Sequence, residues 1–321
     1  MPQVRDNGLN ILINYMPGHA GPKIMKGFVR AFKRLGHTVT ELPAKEALLD
    51  SYDIFMGYSG QAVISLGKAP FTLAHVFNSY LVQYWADDLA DLSQISRMGL
   101  ILQSDLGCSE KWKAAGIENT YLPLATDEKI FHPIETEKIY DVVLTGIVSP
   151  PRVEVLRQLA GLNVAVFGPW DPGWKDYPEF ANLYKGCVAT EEELNTIYNQ
   201  SKICIDASSP QNLNSANFTV FNAMASGCVL VTNDKPALDL LFGGEAKPPV
   251  FSGDCREVVM AYLEDEEFAK AESLRQRKII LEGHTFVHRA KTVLDEVIKT
   301  EKLYLPPEIA DGVKKILAGK G

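Results

Sequence analysis

The 321-residue chain contains no apolar run approaching the roughly 20 residues that cross a bilayer, which predicts no membrane-spanning helix. Its first seven residues are polar and lead straight into an apolar stretch. With no charged-then-apolar leader, the chain reads as cytoplasmic. Cysteine is sparse: five residues, scattered at 108, 187, 204, 228 and 255, with no Cys-x-x-Cys pair. This pattern excludes a disulfide scaffold and predicts reduced, mostly buried thiols. His-x-x-x-His, Asp-x-Asp and clustered cysteines are also missing, so no metal is implied. Positive charge is in deficit, with 32 Lys and Arg against 40 Asp and Glu and a net charge of −8. General affinity for nucleic acid or anionic membranes is therefore disfavoured, though not a local basic groove. One early helix collects Lys23, Lys26, Arg30, Lys33 and Arg34, which reads either as such a groove or as a solvated face. Internal repeats and low-complexity segments are absent.

What is present is alternation. Apolar strand patterns at 9–15, 37–42, 53–58, 71–77, 99–103 and 119–124 are separated by helical patterns at 22–35, 79–98 and 108–115. The segment 126–140 then turns charged and proline-containing and reads as a linker. Alternation restarts with strands at 141–145, 163–167, 186–189 and 202–206, and helices at 152–160 and 191–199. Thr190 caps the second of these helices, with Glu193 as its capping-box partner. Such a pattern predicts two Rossmann-like, doubly wound parallel-sheet domains facing across a cleft. We expect an N-terminal acceptor domain over 1–135, a C-terminal donor domain over 136–300 and a tail helix over 301–321.

The stretch 217–232 is the most informative. A polar loop enters a short helix carrying Phe218, Phe221 and Met224 at spacings of three, Gly227 stops it, and Cys228-Val-Leu-Val-Thr232 follows as a buried strand. A polar loop entering a helix N-terminus at a strand end is where open α/β sheets hold phosphorylated ligands, because unpaired backbone N–H groups and the helix dipole face the anion.

Four segments in order resemble the donor half of two-domain (GT-B) glycosyltransferases, and in particular the spore-maturation, CgeB-type glycosyltransferase-like proteins. They are Leu122-Pro-Leu-Ala-Thr-Asp127 with Phe131-His-Pro133; Tyr140-Asp-Val-Val-Leu-Thr-Gly146 with residues 149–152; residues 217–232; and His284-Thr-Phe-Val-His-Arg289. The resemblance implies a GT-B fold and metal-independent transfer, with retention at the anomeric carbon, from a nucleotide-sugar to an unidentified acceptor. The nucleotide-sugar is a co-substrate, and no resident cofactor is implied. Retaining relatives carry two Glu residues eight positions apart, one meeting the transferred sugar and one the nucleotide ribose; here those places hold Asn214 and Asn222. Asparagine keeps hydrogen bonding to hydroxyls but loses the negative charge.

Candidate donor-binding residues are Gly146, Ser149, Arg152, Trp170, Ser215, Asn217, Phe218 and Asn222, with Asn214 at the reacting sugar. Arg152 reads either as a diphosphate ligand or as a solvent-facing helix residue. Trp170, Trp174 and Tyr177 either stack on the donor or pack beneath their loop. Asp206, ending a strand, either braces the loop or meets the ligand. His75 ends a strand and is a candidate base, with a packed histidine as the alternative. Gly18, His19 and Asp87 are candidates on the acceptor side. His288 and Arg289 are expected to pack the last helices on the donor domain. Three rival readings are a silent sugar- or nucleotide-binding module of the same fold, a glycosyltransferase of modified DNA bases, and a solute-binding or epimerase-like protein.

Overall fold

The computed structural model describes residues 8–15, 21–43, 54–58, 72–76, 100–169, 173–207 and 214–299. The chain divides into two units, Met1–Pro123 with Phe286–Gly321, and Leu124–Thr285. The predicted helix 79–98 and the tail 301–321 lie outside the described residues.

In the first unit the described elements are β1 (Asn10–Tyr15), α1 (Gly21–Arg34), β2 (Thr38–Pro43), β3 (Ile54–Tyr58), β4 (Thr72–Val76), β5 (Leu100–Gln103), α2 (Leu106–Ala114) and β6 (Thr120–Tyr121). The strands form a parallel sheet in the order β2-β1-β3-β4-β5-β6. Helix α1 buries Ile24, Met25, Phe28, Val29, Ala31 and Phe32 along one face. Each large side chain there contributes roughly 1.5–3 kcal/mol by leaving water. Asp105 caps α2 by accepting the Cys108 N–H at 2.9 Å.

The second unit begins with a connection buried at 124–127 and at Phe131, and continues through β7 (Tyr140–Thr145), α3 (Pro150–Gln158), β8 (Val164–Phe167), β9 (Tyr184–Gly186), α4 (Glu191–Asn199) and β10 (Ser201–Asp206). It then runs through α5 (Phe218–Ser226), β11 (Val229–Asn233), α6 (Pro236–Phe242), β12 (Val250–Phe251), α7 (Arg256–Glu264) and α8 (Glu266–Gly283). Its sheet is also parallel, in the order β12-β11-β10-β7-β8-β9. Continuous apolar runs make these strands: Val142, Leu144, Val164, Val166, Ile203, Ile205, Val229 and Val231 are all buried in one core. Thr190 accepts the Glu193 N–H at 3.0 Å, while the Glu193 carboxylate accepts the Ala189 N–H at 2.7 Å. The reciprocal bond thus falls one residue earlier than the sequence pattern indicates.

The division falls earlier than the charged segment suggests. Residues 126–140 pack on the second unit instead of linking freely. Phe131 is buried, its ring 6.4 Å from that of Tyr198. Asn195 and Asn199 accept the N–H groups of His132 and Ile134 at 3.1 and 2.9 Å, and Lys138 donates to the Ser201 carbonyl at 2.8 Å. The last described helix, α9 (Phe286–Lys299), belongs to the first unit, where the Phe286 ring meets Phe28 edge-on at 5.4 Å. Arg289 lies on it and donates to the Pro123 carbonyl at 3.0 Å. This bond lies within the first unit. Composition cannot show this return, because α9 is amphipathic and ordinary on its own.

Candidate functional site at the strand ends of the second sheet

From β7 the chain winds outward through α3 to β8; from β10 it winds the other way through α5 to β11. The order therefore reverses between the neighbours β7 and β10, and in open parallel sheets ligands sit beyond the carboxyl ends of the strands at such a reversal. Here those ends are Thr145-Gly146 and Asp206-Ala207.

A buried charge cluster fills this point. Asp206, 1% exposed, accepts from Asn217 Nδ2 at 2.8 Å, from Thr232 Oγ1 at 3.2 Å and from Lys235 Nζ. Arg152 Nη2 lies 3.8 Å from the same carboxylate. Burial alone would raise the Asp206 pKa. The nearby charges of Lys235 and Arg152, with hydrogen bonds from Lys235 and Asn217, outweigh burial and hold it below the usual carboxylate value. Arg152 is itself buried: Nε donates to the Ala207 carbonyl at 3.2 Å and Nη1 to the Ile147 carbonyl at 2.5 Å. Its guanidinium thus clasps both strand ends and is not a solvent-facing helix arginine. Gly146 makes room for it. With φ +112°, a backbone that L side chains rarely adopt, a Cβ there would stand 2.6 Å from Nη1.

Two cations meet one carboxylate. Lys235 and Arg152 against Asp206 leave one surplus positive charge out of water, which the described residues do not neutralise. Beside it, Ser149 caps α3 with extended backbone. It makes no side-chain cap bond, and its buried Oγ has no hydrogen-bond partner among the described residues. Prolines at 150 and 151 remove two of the N–H groups that a helix end usually offers, so α3 presents the Arg152 N–H, the arginine and the serine hydroxyl. Helix α5 is better supplied with backbone donors. Its cap Asn217 accepts the Val220 N–H at 3.3 Å, and in its first turn the Thr219 N–H has no intrahelical acceptor. Because Asp206 binds both Arg152 and Asn217, the N-termini of α3 and α5 converge on one carboxylate.

Of the residues selected from sequence, Gly146, Ser149, Arg152 and Asn217 come together here. Ser215 is buried in the turn before α5, and Phe218 opens that helix half-exposed. Phe221 and Met224 are fully buried, and Gly227 adopts the left-handed cap at φ +87°. Asn222 faces the chain's entry into the unit. Its Oδ1 accepts the Thr126 hydroxyl at 2.8 Å, and its Nδ2 has no acceptor among the described residues. Asn214 is half-buried, its carbonyl accepting the Ala237 N–H at 3.1 Å. Trp174 is 1% exposed and donates to the Gly146 carbonyl at 3.2 Å, so it packs beneath the loop and does not stack on a ligand. His75 is next to last in β4, opposite Tyr58 and Leu102. Trp170, Gly18, His19 and Asp87 lie outside the described residues. Sequence reasoning missed Lys235. Flanked by Asp234 and Pro236 it looks like a surface turn, yet its side chain is wholly buried. Among the described residues no group of His, Cys, Asp and Glu could hold a metal ion, and no helix is long and apolar enough to cross a membrane.

Residues 152–295 match the family model described as glycosyl transferase-like. No curated protein matches the chain by sequence. Solved structures resemble it over nearly its whole length. Sucrose-phosphate synthase of Thermosynechococcus elongatus superposes with TM-score 0.67 at 12% identity, covering 91% of this chain and 98% of that one. Anabaena HepE, solved with UDP-glucose, gives TM-score 0.66 at 12% identity over 91% and 100%. A Rickettsia africae glycosyltransferase gives 0.62 at 12% over 92% and 100%. The fold is α/β with parallel sheets, that of the GT-B glycosyltransferases.

Proposed function

We propose that the protein is a glycosyltransferase whose second unit binds a nucleotide-sugar by its diphosphate at the β7/β10 strand ends. The observation that carries this reading is the buried cluster of Arg152, Lys235 and Asp206 with its surplus positive charge, set beside the unpartnered Ser149 hydroxyl. A desolvated cation without a counter-charge is costly, and an anionic ligand relieves that cost. In transfer, the bond from the anomeric carbon to the diphosphate oxygen breaks and one to an acceptor hydroxyl forms. The departing diphosphate gains negative charge that preorganised cations and N–H groups stabilise. On this reading the Arg152 guanidinium, the Ser149 hydroxyl and the first turn of α5 hold the phosphates. Asn222, whose oxygen is committed to Thr126, offers its amide N–H to a donor hydroxyl. Asn214 lies toward the sugar, and His75 accepts the acceptor's proton. Transfer is metal-independent and retains the anomeric configuration, and the protein works in the cytoplasm. Membership of the CgeB type accords with the order of the four resembling segments.

A second reading, a silent binding module, is favoured by the two asparagines standing where retaining relatives carry glutamates. The test is a thermal-shift panel of nucleoside diphosphates and nucleotide-sugars, followed by assays of hydrolysis and transfer. A ligand that binds only the folded protein raises its melting temperature. Stabilisation with turnover supports the transferase. Stabilisation without turnover under any acceptor supports the module. No stabilisation by any diphosphate contradicts both.

A further inference from the structure

Helix α1 carries five basic residues and no acidic one. At 3.6 residues per turn, Lys23, Lys26, Arg30, Lys33 and Arg34 fall within an arc of about 100°, opposite the apolar face formed by Ile24, Met25, Phe28 and Phe32. The row from 23 to 34 is about 16 Å long. Lys23, Lys26, Lys33 and Arg34 are exposed, and Arg30 is half-exposed. Carboxylates among the described residues pair with none of the three lysines. In a protein of net charge −8 this row is a local reversal of sign.

We propose that this row docks the protein on an anionic phospholipid surface. The geometry favours a plane over a duplex. Helix α1 is held down by its buried face, so only side chains stand proud, too shallow a ridge to enter a major groove about 8.5 Å deep. A plane meets the whole row at once. With charges screened over about 8 Å at physiological salt, the plane senses chiefly the row and the charges next to it. No large apolar side chain is exposed on the row, so attachment is electrostatic, reversible and salt-sensitive.

The experiment is co-sedimentation of the full chain with vesicles of phosphatidylcholine alone and of equal parts phosphatidylcholine and phosphatidylglycerol, at low and high salt. We expect binding to the anionic vesicles only, lost at high salt. Each lysine replaced by glutamine should weaken binding about fivefold, and K23Q/K26Q/K33Q together about a hundredfold. The corresponding arginine triple variant should bind as wild type, and so should a control replacing exposed Lys113, Lys270 and Lys278. Unchanged melting curves establish that the variants fold. No binding to anionic vesicles at low salt overturns the proposal. So does equal binding to neutral vesicles, or a glutamine triple variant that binds as wild type. A duplex-DNA gel shift stronger than vesicle binding and dependent on the same lysines would reassign the row to nucleic acid and likewise overturn it.

Discussion

The second unit holds two buried polar networks, and they differ in what they leave undone. On the far side of β11, Gln276 from α8 accepts the Leu230 N–H at 2.9 Å and donates to the Leu230 carbonyl at 3.0 Å, extending the ladder where the short β12 does not reach. Glu272 accepts the second Gln276 proton at 2.8 Å and pairs with Arg275 at 2.7 Å, so this network is balanced in charge and bonding. At the strand ends, Arg152, Lys235 and Asp206 are as deeply buried and Asn217 half-buried, yet among the described residues one positive charge and the Ser149 hydroxyl remain unmatched. A completed network specifies packing. An incomplete one at a sheet's reversal point is what the proposed diphosphate site requires.

Removing the shared carboxylate should cost most. Asp206→Ala strands two buried cations and should destabilise the protein by about 3–5 kcal/mol in urea unfolding. Adding Lys235→Met should restore part of that loss. If the single variant unfolds like wild type, the cluster is not held by its charges and the contrast between the networks fails.

Acid sensitivity sharpens the comparison from outside both networks. His37, in the first unit, accepts the Leu9 N–H on Nδ1 at 3.1 Å, and burial lowers its pKa from 6.5 to about 4. The folded protein therefore binds fewer protons than the unfolded chain below pH 6.5. His37's contribution is full above that pH and is lost as pH falls toward 4, by about 3 kcal/mol. Stability measured from pH 7 to 4 should show the loss, and His37→Gln should flatten it. Asp206, its pKa lowered, contributes acid lability only below the ordinary carboxylate range. An unchanged slope in the histidine variant would place the sensitive group elsewhere.

The balanced network gives the next largest effect. Gln276→Ala leaves the Leu230 N–H and carbonyl without partners and should cost about 2 kcal/mol, with affinity for diphosphates unchanged. Ser149→Ala should do the reverse. Its hydroxyl makes no bond in the unliganded protein, so stability should move by less than about 0.5 kcal/mol. Affinity for a nucleoside diphosphate should fall by about 1 kcal/mol in calorimetric titration. Equal effects of both variants on both readouts would erase the distinction.

Much of the fold was legible because parallel strands buried on both faces read as unbroken apolar runs, as in 203–205 and 229–231. Glycine stops and the cap at Thr190 marked the helix ends. The boundary was not legible. Charge in 126–140 suggests a solvated linker, whereas Phe131 and the backbone N–H groups of His132 and Ile134 anchor it to the second unit. At the site, Gly146, Ser149, Arg152 and Asn217 carried a signal because loop, helix start and strand end fall together. Lys235 carried none. A buried lysine is visible only through its partner, and Asp206 lies 29 residues away in sequence.

The most direct test of the central claim is a crystal structure of the protein with a nucleoside diphosphate that stabilises it. The account predicts phosphate oxygens within hydrogen-bond distance of Ser149 Oγ and of the first-turn N–H groups of α5, with Arg152 and Lys235 supplying the counter-charge. A diphosphate bound elsewhere, with the β7/β10 strand ends empty, would contradict it.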